Sequence, residues 1–247
     1  MNRVHVRRGR HGLELRVDGT LASALGTSDA RQVWAALAAP LLLLPETRRR
    51  RLLILGLGGG AAAHWLRELA PRAEIIGVER DHEVADAARR YFGVDRLRVD
   101  VVVADALQFL RQERRRFDLI IEDVFVGPNR SIRKPPWLPE PGLELVWRRL
   151  APGGLLACNT IHEGPTLSQA LRRRGPVVEI AVTGYWNRVY VAGGGASARR
   201  LRRRLVDHPR YAATRSALRL RTCRRLRRSK PARGRLEREV RPGRIRR

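Results

Sequence analysis

Between Arg51 and Glu122 the chain repeats one pattern: a short run that is apolar along nearly its whole length, a turn, and about ten residues with helical spacing of apolar positions. The runs are 51–55, 74–78, 99–103 and 117–122. The helical stretches between them are 61–69, stopped by Pro71, 82–91, ended by Gly93, and 105–112. A strand that stays apolar at successive positions has both faces covered, and alternation with helices is how a parallel sheet acquires that cover. The predicted fold is therefore doubly wound α/β, with a Rossmann-like sheet.

The flanks are less regular. Val4 to Leu25 alternates apolar and polar residues around Gly9, Gly12 and the Asp18-Gly19 pair, which predicts a small β-hairpin or three-strand meander. A helix is expected from Arg31 towards Leu44. After Asp123 five prolines between 128 and 141 predict a long loop, followed by a helix at 143–150 and a strand at 155–159. Segments 177–182 and 188–191 read as a closing antiparallel hairpin. Beyond Gly195 a basic helix to about Val206 and a second short helix to Leu218 are expected, with a disordered arginine-rich tail beyond Arg221. The resulting domains are 1–45, 46–195, 196–222 and 223–247.

Charge is concentrated in the tail. The chain of 247 residues carries 51 Lys plus Arg against 24 acids, and residues 196–247 hold 21 of those bases and three of the acids. Only Lys134 and Lys230 are lysines. Such arginine bias is the mark of a GC-rich coding sequence, so the charge is in part compositional. Three readings of the tail stand: non-specific phosphate contact with nucleic acid, docking to an acidic partner, or an unselected extension, the last being favoured because no base-reading motif accompanies the arginines. Cys158 and Cys223 form neither a disulfide framework nor a metal-ligand spacing, so no metal is expected and a reducing, cytoplasmic setting is. The longest apolar stretch, 37–44, is interrupted by Pro40 and well short of the ~20 residues of a membrane span.

The chemistry is predicted at the strand ends. Gly56, Gly58 and Gly60 lie directly between a strand and a helix, where the backbone can turn tightly and approach a ligand. Glu79 stands at the end of the next strand, where a carboxylate can accept both ribose hydroxyls of a nucleoside. Asp105 and Ala106 follow the third strand, placed to read an adenine edge. Asp123, at the end of the fourth, is the candidate base, and Glu122 points to the opposite sheet face by strand alternation. Asn159, His162 and Glu163 follow the fifth strand towards the same cleft. Trp137 stands among prolines as a candidate for gating an acceptor or anchoring the loop.

These motifs together resemble the spermidine synthase-like branch of the class I S-adenosylmethionine-dependent methyltransferase fold. The likeness runs from Leu13 to Gly194 through Val17-Asp18-Gly19, the glycine loop, Val78-Glu79-Arg80-Asp81, Ala104-Asp105-Ala106, Phe117 to Asp123, Leu150 to Gly154, and Gly184-Tyr185-Trp186. The resemblance implies S-adenosylmethionine or its decarboxylated form as ligand, with Gly56, Gly58 and Gly60 at the methionine portion, Glu79 at the ribose, and Asp105 with Ala106 at the adenine. It further implies a dimer, and Asp123 as the proton-accepting aspartate. Aminopropyltransferases of this branch carry an acid where this chain has Gly59 and a second aspartate where it has Val126. A glutamine and a Tyr-His-Glu-like cluster correspond to the regions Thr20-Leu21-Ala22 and Val33-Trp34-Ala35. A diamine needs carboxylates to offset its desolvation, and a strongly cationic chain repels it. Methyl transfer to an unidentified acceptor is therefore ranked first, aminopropyl transfer second, and a non-catalytic cofactor- or nucleic-acid-binding protein third.

Overall fold

The computed structural model describes residues 4–10, 12–26, 28–128 and 131–224, with the side chains of 28–31 left out. Strands β4 (Arg51–Leu55), β5 (Glu74–Glu79), β6 (Val99–Val103), β7 (Phe117–Glu122) and β8 (Leu150–Thr160) run parallel. Antiparallel β9 (Val177–Val182), β10 (Arg188–Gly193) and β11 (Leu218–Cys223) complete an eight-stranded sheet of order β11-β9-β10-β8-β7-β4-β5-β6. After β4 the chain builds outward through β5 and β6, then returns to the other side of β4 with β7. This reversal leaves a crevice at the carboxyl ends of the strands, the place where open α/β sheets bind ligands.

Burial follows from the sequence pattern. In β4, Leu52 and Ile54 enter one apolar cluster while Leu53 and Leu55 enter the other, and β7 divides Leu119 and Ile121 from Ile120 in the same way. Helices α2 (Ala61–Leu69), α3 (His82–Phe92), α4 (Ala106–Gln112), α5 (Gly142–Arg149) and α6 (Gly164–Arg172) connect the strands, and α7 (Ala198–Asp207) follows β10. Sequence periodicity did not separate α6 from the loop before it, because only Leu167 and Leu171 of its short span are buried apolar anchors.

At the amino end β1 (Val4–Gly9), β2 (Gly12–Val17) and β3 (Thr20–Leu25) form the meander, with β2 and β3 joined by Asp18 and Gly19 at φ 47° and 78°. Two consecutive left-handed residues match the right-handed twist of a hairpin. Leu15 of β2 packs with Val84, Ala87 and Phe92 of α3, so this small sheet is fastened over the glycine loop. Helix α1 (Ser28–Ala38) gives way to a tighter 3-10 turn at Ala39–Leu43. Pro40 lacks the N–H that an α-helix would use there.

The region after α7 differs from the expectation. Residues 218–223 form an edge strand where a helix ending at Leu218 and disorder from 223 were expected. Leu218 and Leu220 join the apolar side, while Arg221 makes paired hydrogen bonds of 2.9 and 2.7 Å to Glu179. Alternation over six residues supplied a strand once β9 offered an unpaired edge. The rest of the predicted tail, 225–247, lies outside the described residues. Tyr211 anchors this extension: its ring is buried against Trp65 at 5.0 Å and its hydroxyl donates to the Ala35 carbonyl at 3.0 Å.

Candidate active site

The crevice at the strand ends is a cleft of about 850 Å³. Gly56 and Gly58 form its floor. Their φ values of 81° and 54° are left-handed, and a Cβ on Gly56 would stand 2.7 Å from the Asp123 carbonyl. The loop is tied to its neighbour strand by Gly56 N–H and Leu57 N–H donating to the Val78 carbonyl at 2.9 and 3.0 Å. Gly60 has a different place from the one expected. It precedes α2 at φ 80°, does not line the cleft, and a Cβ there would meet Val94 at 2.5 Å. Close packing against Val94 is one reason for a glycine there.

Glu79 closes the first turn of the site. Its Oε2 accepts from Gly58 N–H at 2.9 Å, and its Oε1 from the N–H groups of Arg80 and Asp81 at 2.8 and 3.1 Å. Burial raises its pKa against the lowering effect of these hydrogen bonds. Asp105 caps α4 by accepting from Leu107 and Gln108 N–H at 2.9 and 3.1 Å, and both it and Ala106 line the cleft. A capping role and a ligand-facing position thus coincide in one residue.

Asp123 stands where β7 ends, its N–H donating to the Leu55 carbonyl at 2.8 Å. Asn159 Nδ2 donates to Asp123 Oδ1 at 2.8 Å, and Asn187 Nδ2 donates to Asn159 Oδ1 at 3.0 Å, a relay reaching from β7 through β8 to the β9–β10 turn. Burial pushes the Asp123 carboxyl up to about 7. The Asn159 hydrogen bond, the Lys134 charge and the Trp34 indole pull it down, and neighbouring Glu122 pushes it further up. His162 does not join this group: Asn159 and Ile161 line the cleft, while His162 is exposed and its N–H donates to Glu163 Oε2 at 3.2 Å. Strand β8 ends at Thr160, so strand alternation no longer sets the direction of His162.

Glu122 does point away from the cleft, as strand alternation requires, and it is fully buried. Lys134 Nζ lies 2.8 Å from each of its carboxylate oxygens and donates to the Val124 carbonyl at 2.9 Å, with the Phe125 ring centroid 4.0 Å away. The Lys134 N–H donates to Glu163 Oε1 at 2.7 Å, joining the proline-rich loop to the end of β8. This clamp was missed in the sequence, although a lysine kept among 49 arginines was a usable signal. Trp137 lines the cleft and also covers Gly142, which leaves no room for a Cβ, so its gating and anchoring positions are the same position.

The regions that depart from the aminopropyltransferase pattern do face the cleft: Thr20, Leu21, Ala22, Val33 and Trp34 line it. Gly59 does not. A Cβ at Gly59 would stand 2.8 Å from Ser23 Cβ and 3.1 Å from the Phe92 ring, and Ser23 Oγ accepts from Ala61 N–H at 3.2 Å. Strand β3 therefore occupies the space an acidic side chain at 59 would need. The whole-chain charge does not extend into the cleft. Its described lining includes Asp18, Glu79, Asp81, Asp105 and Asp123 but one base, Arg80, so the local field favours cations despite the net charge of +27.

Comparison with known proteins places these features in a family context. Residues 52–154 match the family model described as a methyltransferase domain. The chain is 30% identical over 130 residues to the eEF1A lysine and N-terminal methyltransferase of Danio rerio, covering 49% of this chain and 19% of that protein. It is also 30% identical over 125 residues to a probable polyamine aminopropyl transferase of Bifidobacterium longum, covering 50% of this chain and 26% of that protein. The chain thus spans about a fifth and about a quarter of these curated relatives. In structure it is similar to a probable spermidine synthase from Corynebacterium glutamicum, with a TM-score of 0.68, 20% identity, and coverage of 91% of this chain and 88% of that one. Over residues 52–154 the chain is thus similar to a methyltransferase domain, and its fold as a whole is similar to that of a spermidine synthase.

Proposed function

We propose that this protein is an S-adenosylmethionine-dependent methyltransferase in which Asp123 accepts the proton of the acceptor. The reading is carried by Asp123: a carboxyl with a pKa near 7, held by Asn159 beside the glycine loop at the open end of the sheet. A base titrating near the working pH combines a useful deprotonated fraction with enough basicity to take a proton. The residues present fit the donor. Gly56 and Gly58 leave the loop without side chains, Glu79 is fixed at the ribose position, and Asp105 with Ala106 stands at the adenine position. The acid excess of the cleft suits a sulfonium cation. When bound, S-adenosylmethionine supplies an electrophilic methyl group whose bonding electron pair stays on sulfur as the methyl leaves. The protein's part is to hold the acceptor in line, shield it from water and remove its proton.

The same acid excess favours a second reading, aminopropyl transfer from decarboxylated S-adenosylmethionine, which carries one more positive charge in net terms. Calorimetric titration with the two donors separates these readings. Tighter binding of S-adenosylmethionine supports methyl transfer, and preference for the decarboxylated donor replaces it with aminopropyl transfer. Failure of both to bind would leave neither. Among the described residues no helix is long and apolar enough to cross a membrane, and a cytoplasmic setting forms part of the proposal, to be checked by fractionation.

A further inference from the structure

The half of the cleft beyond the nucleoside positions has a composition of its own. Five of the chain's 13 aromatic residues line it: Trp34, Phe125, Trp137, Tyr185 and Trp186. Pro135 and Pro136 add flat apolar surface on the loop side. Trp186, on the turn between β9 and β10, is 81% exposed, more than any other large apolar side chain among the described residues. The polar groups arrayed with these rings are few. Asp123 lies at the end of β7 with its relay through Asn159 of β8 to Asn187 of the β9–β10 turn, and Asp18 and Thr20 lie at the β2–β3 turn. The one base among the described lining residues, Arg80, follows Glu79 at the nucleoside end.

We infer that this half of the cleft is an acceptor site for a neutral, planar aromatic molecule carrying one hydroxyl, which it presents to Asp123. The inference rests on the transferase reading above and names its substrate class. Each competing class leaves part of the site unmatched. A carboxylate or phosphate acceptor would lose hydration with no cation beside Asp123 among the described lining residues to replace it. A diamine would find carboxylates in Asp123 and Asp18, but its aliphatic chain would leave the ring faces without stacking partners. An aliphatic alcohol would satisfy Asp123 but leave the ring faces without stacking partners. A planar aromatic body fills the space between aromatic and proline walls, and its single hydroxyl meets the single base. In the transfer, the bond formed joins the hydroxyl oxygen to the methyl carbon. The bond broken is the one from that carbon to sulfur, with its electron pair left on sulfur, and the proton passes to Asp123.

The test is calorimetric binding to the full chain of four probes: naphthol, methoxynaphthalene, naphthoate and putrescine. S-adenosylmethionine is titrated in parallel on the same protein. Naphthol is expected to bind at least tenfold more tightly than naphthoate or putrescine, and more tightly than methoxynaphthalene, which has no proton to give. Trp186→Ala should weaken naphthol by roughly three- to tenfold, the scale of one aromatic contact, with the donor titration unchanged. Tighter binding of putrescine or naphthoate overturns the inference, as does naphthol binding that is indifferent to Trp186→Ala. Loss of donor binding by the unaltered protein counts instead against the transferase reading. Because Trp186 is exposed, its replacement leaves the fold intact and the comparison interpretable.

Discussion

Replacing Lys134 by methionine removes the one ammonium that faces a fully buried carboxylate. In the native protein Nζ donates to Glu122 Oε1 at 2.8 Å and to the Val124 carbonyl at 2.9 Å and is ion-paired with Glu122 Oε2 at 2.8 Å, and Lys134 is only 6% exposed. In Lys134→Met, Glu122 keeps the Val124 N–H at 2.9 Å but has lost its countercharge in a site closed to water. Removing one partner of a buried pair typically costs about 3–5 kcal/mol. That is a large part of the ~5–15 kcal/mol that holds a domain folded. The cost should depend on pH with a defined sign. Burial already raises the Glu122 pKa above the usual 4.5 and Lys134 lowers it, so the variant's carboxyl rises further. The folded variant then holds a proton that the unfolded chain releases above 4.5, and stability relative to the native protein falls as pH rises through that window. Urea denaturation followed by circular dichroism, at about pH 5 and about pH 8, should show the larger loss at the higher pH. The double variant Lys134→Met with Glu122→Leu removes both charges and should recover most of the loss, a coupling of about 3 kcal/mol. Lys134→Arg should also destabilise the fold, by about 1–3 kcal/mol, because a planar guanidinium does not fit a closed slot built around a compact ammonium. A loss below about 1 kcal/mol for Lys134→Met, or one independent of pH, would refute the reasoning.

Further predictions concern the site. Asp123→Asn should abolish turnover while changing S-adenosylmethionine affinity by less than about threefold, since the side chain acts on the acceptor's proton; parallel calorimetry and turnover assays check both halves. With the native protein, kcat/KM should fall about tenfold per pH unit below about 7, because the base is active when deprotonated and burial has raised it to that value; a profile flat down to pH 5 would exclude Asp123 as the base. Glu79→Gln should weaken donor binding and reduce loop order, seen as faster amide exchange at Gly58, whose N–H the carboxylate accepts. Gly59→Asp should destabilise the protein by about 1–3 kcal/mol and confer no diamine binding, because Ser23 and Phe92 already fill the space; thermal denaturation and putrescine calorimetry test it.

The α/β alternation, the limits of β4 to β7 within a residue and the glycine loop were legible in the sequence because each is a local property. Continuous apolar runs report cover on both faces, and glycines at 56 and 58 report backbone conformations that side chains forbid. Distinguishing Gly60 from its neighbours required tertiary structure, since Val94, far along the chain, is what it must clear. The same holds for residues 218–223, whose alternating pattern becomes a strand only because β9 offers an edge, and for His162, whose direction depends on where β8 ends.

The sequence by itself determined the architecture and placed Glu79, Asp105 and Asp123 at strand ends, because the period of apolar residues specifies the elements and strand ends converge on one crevice. Only the tertiary structure decided the character of that crevice. A net charge is a sum over the chain, whereas the field in a cleft depends on which few residues face it, and among the described residues five acids and one arginine do. Lys134 shows the same division: the sequence marks it as a lysine among arginines, but only packing brings it against Glu122, Val124 and Phe125, where its small charged head is the one that fits.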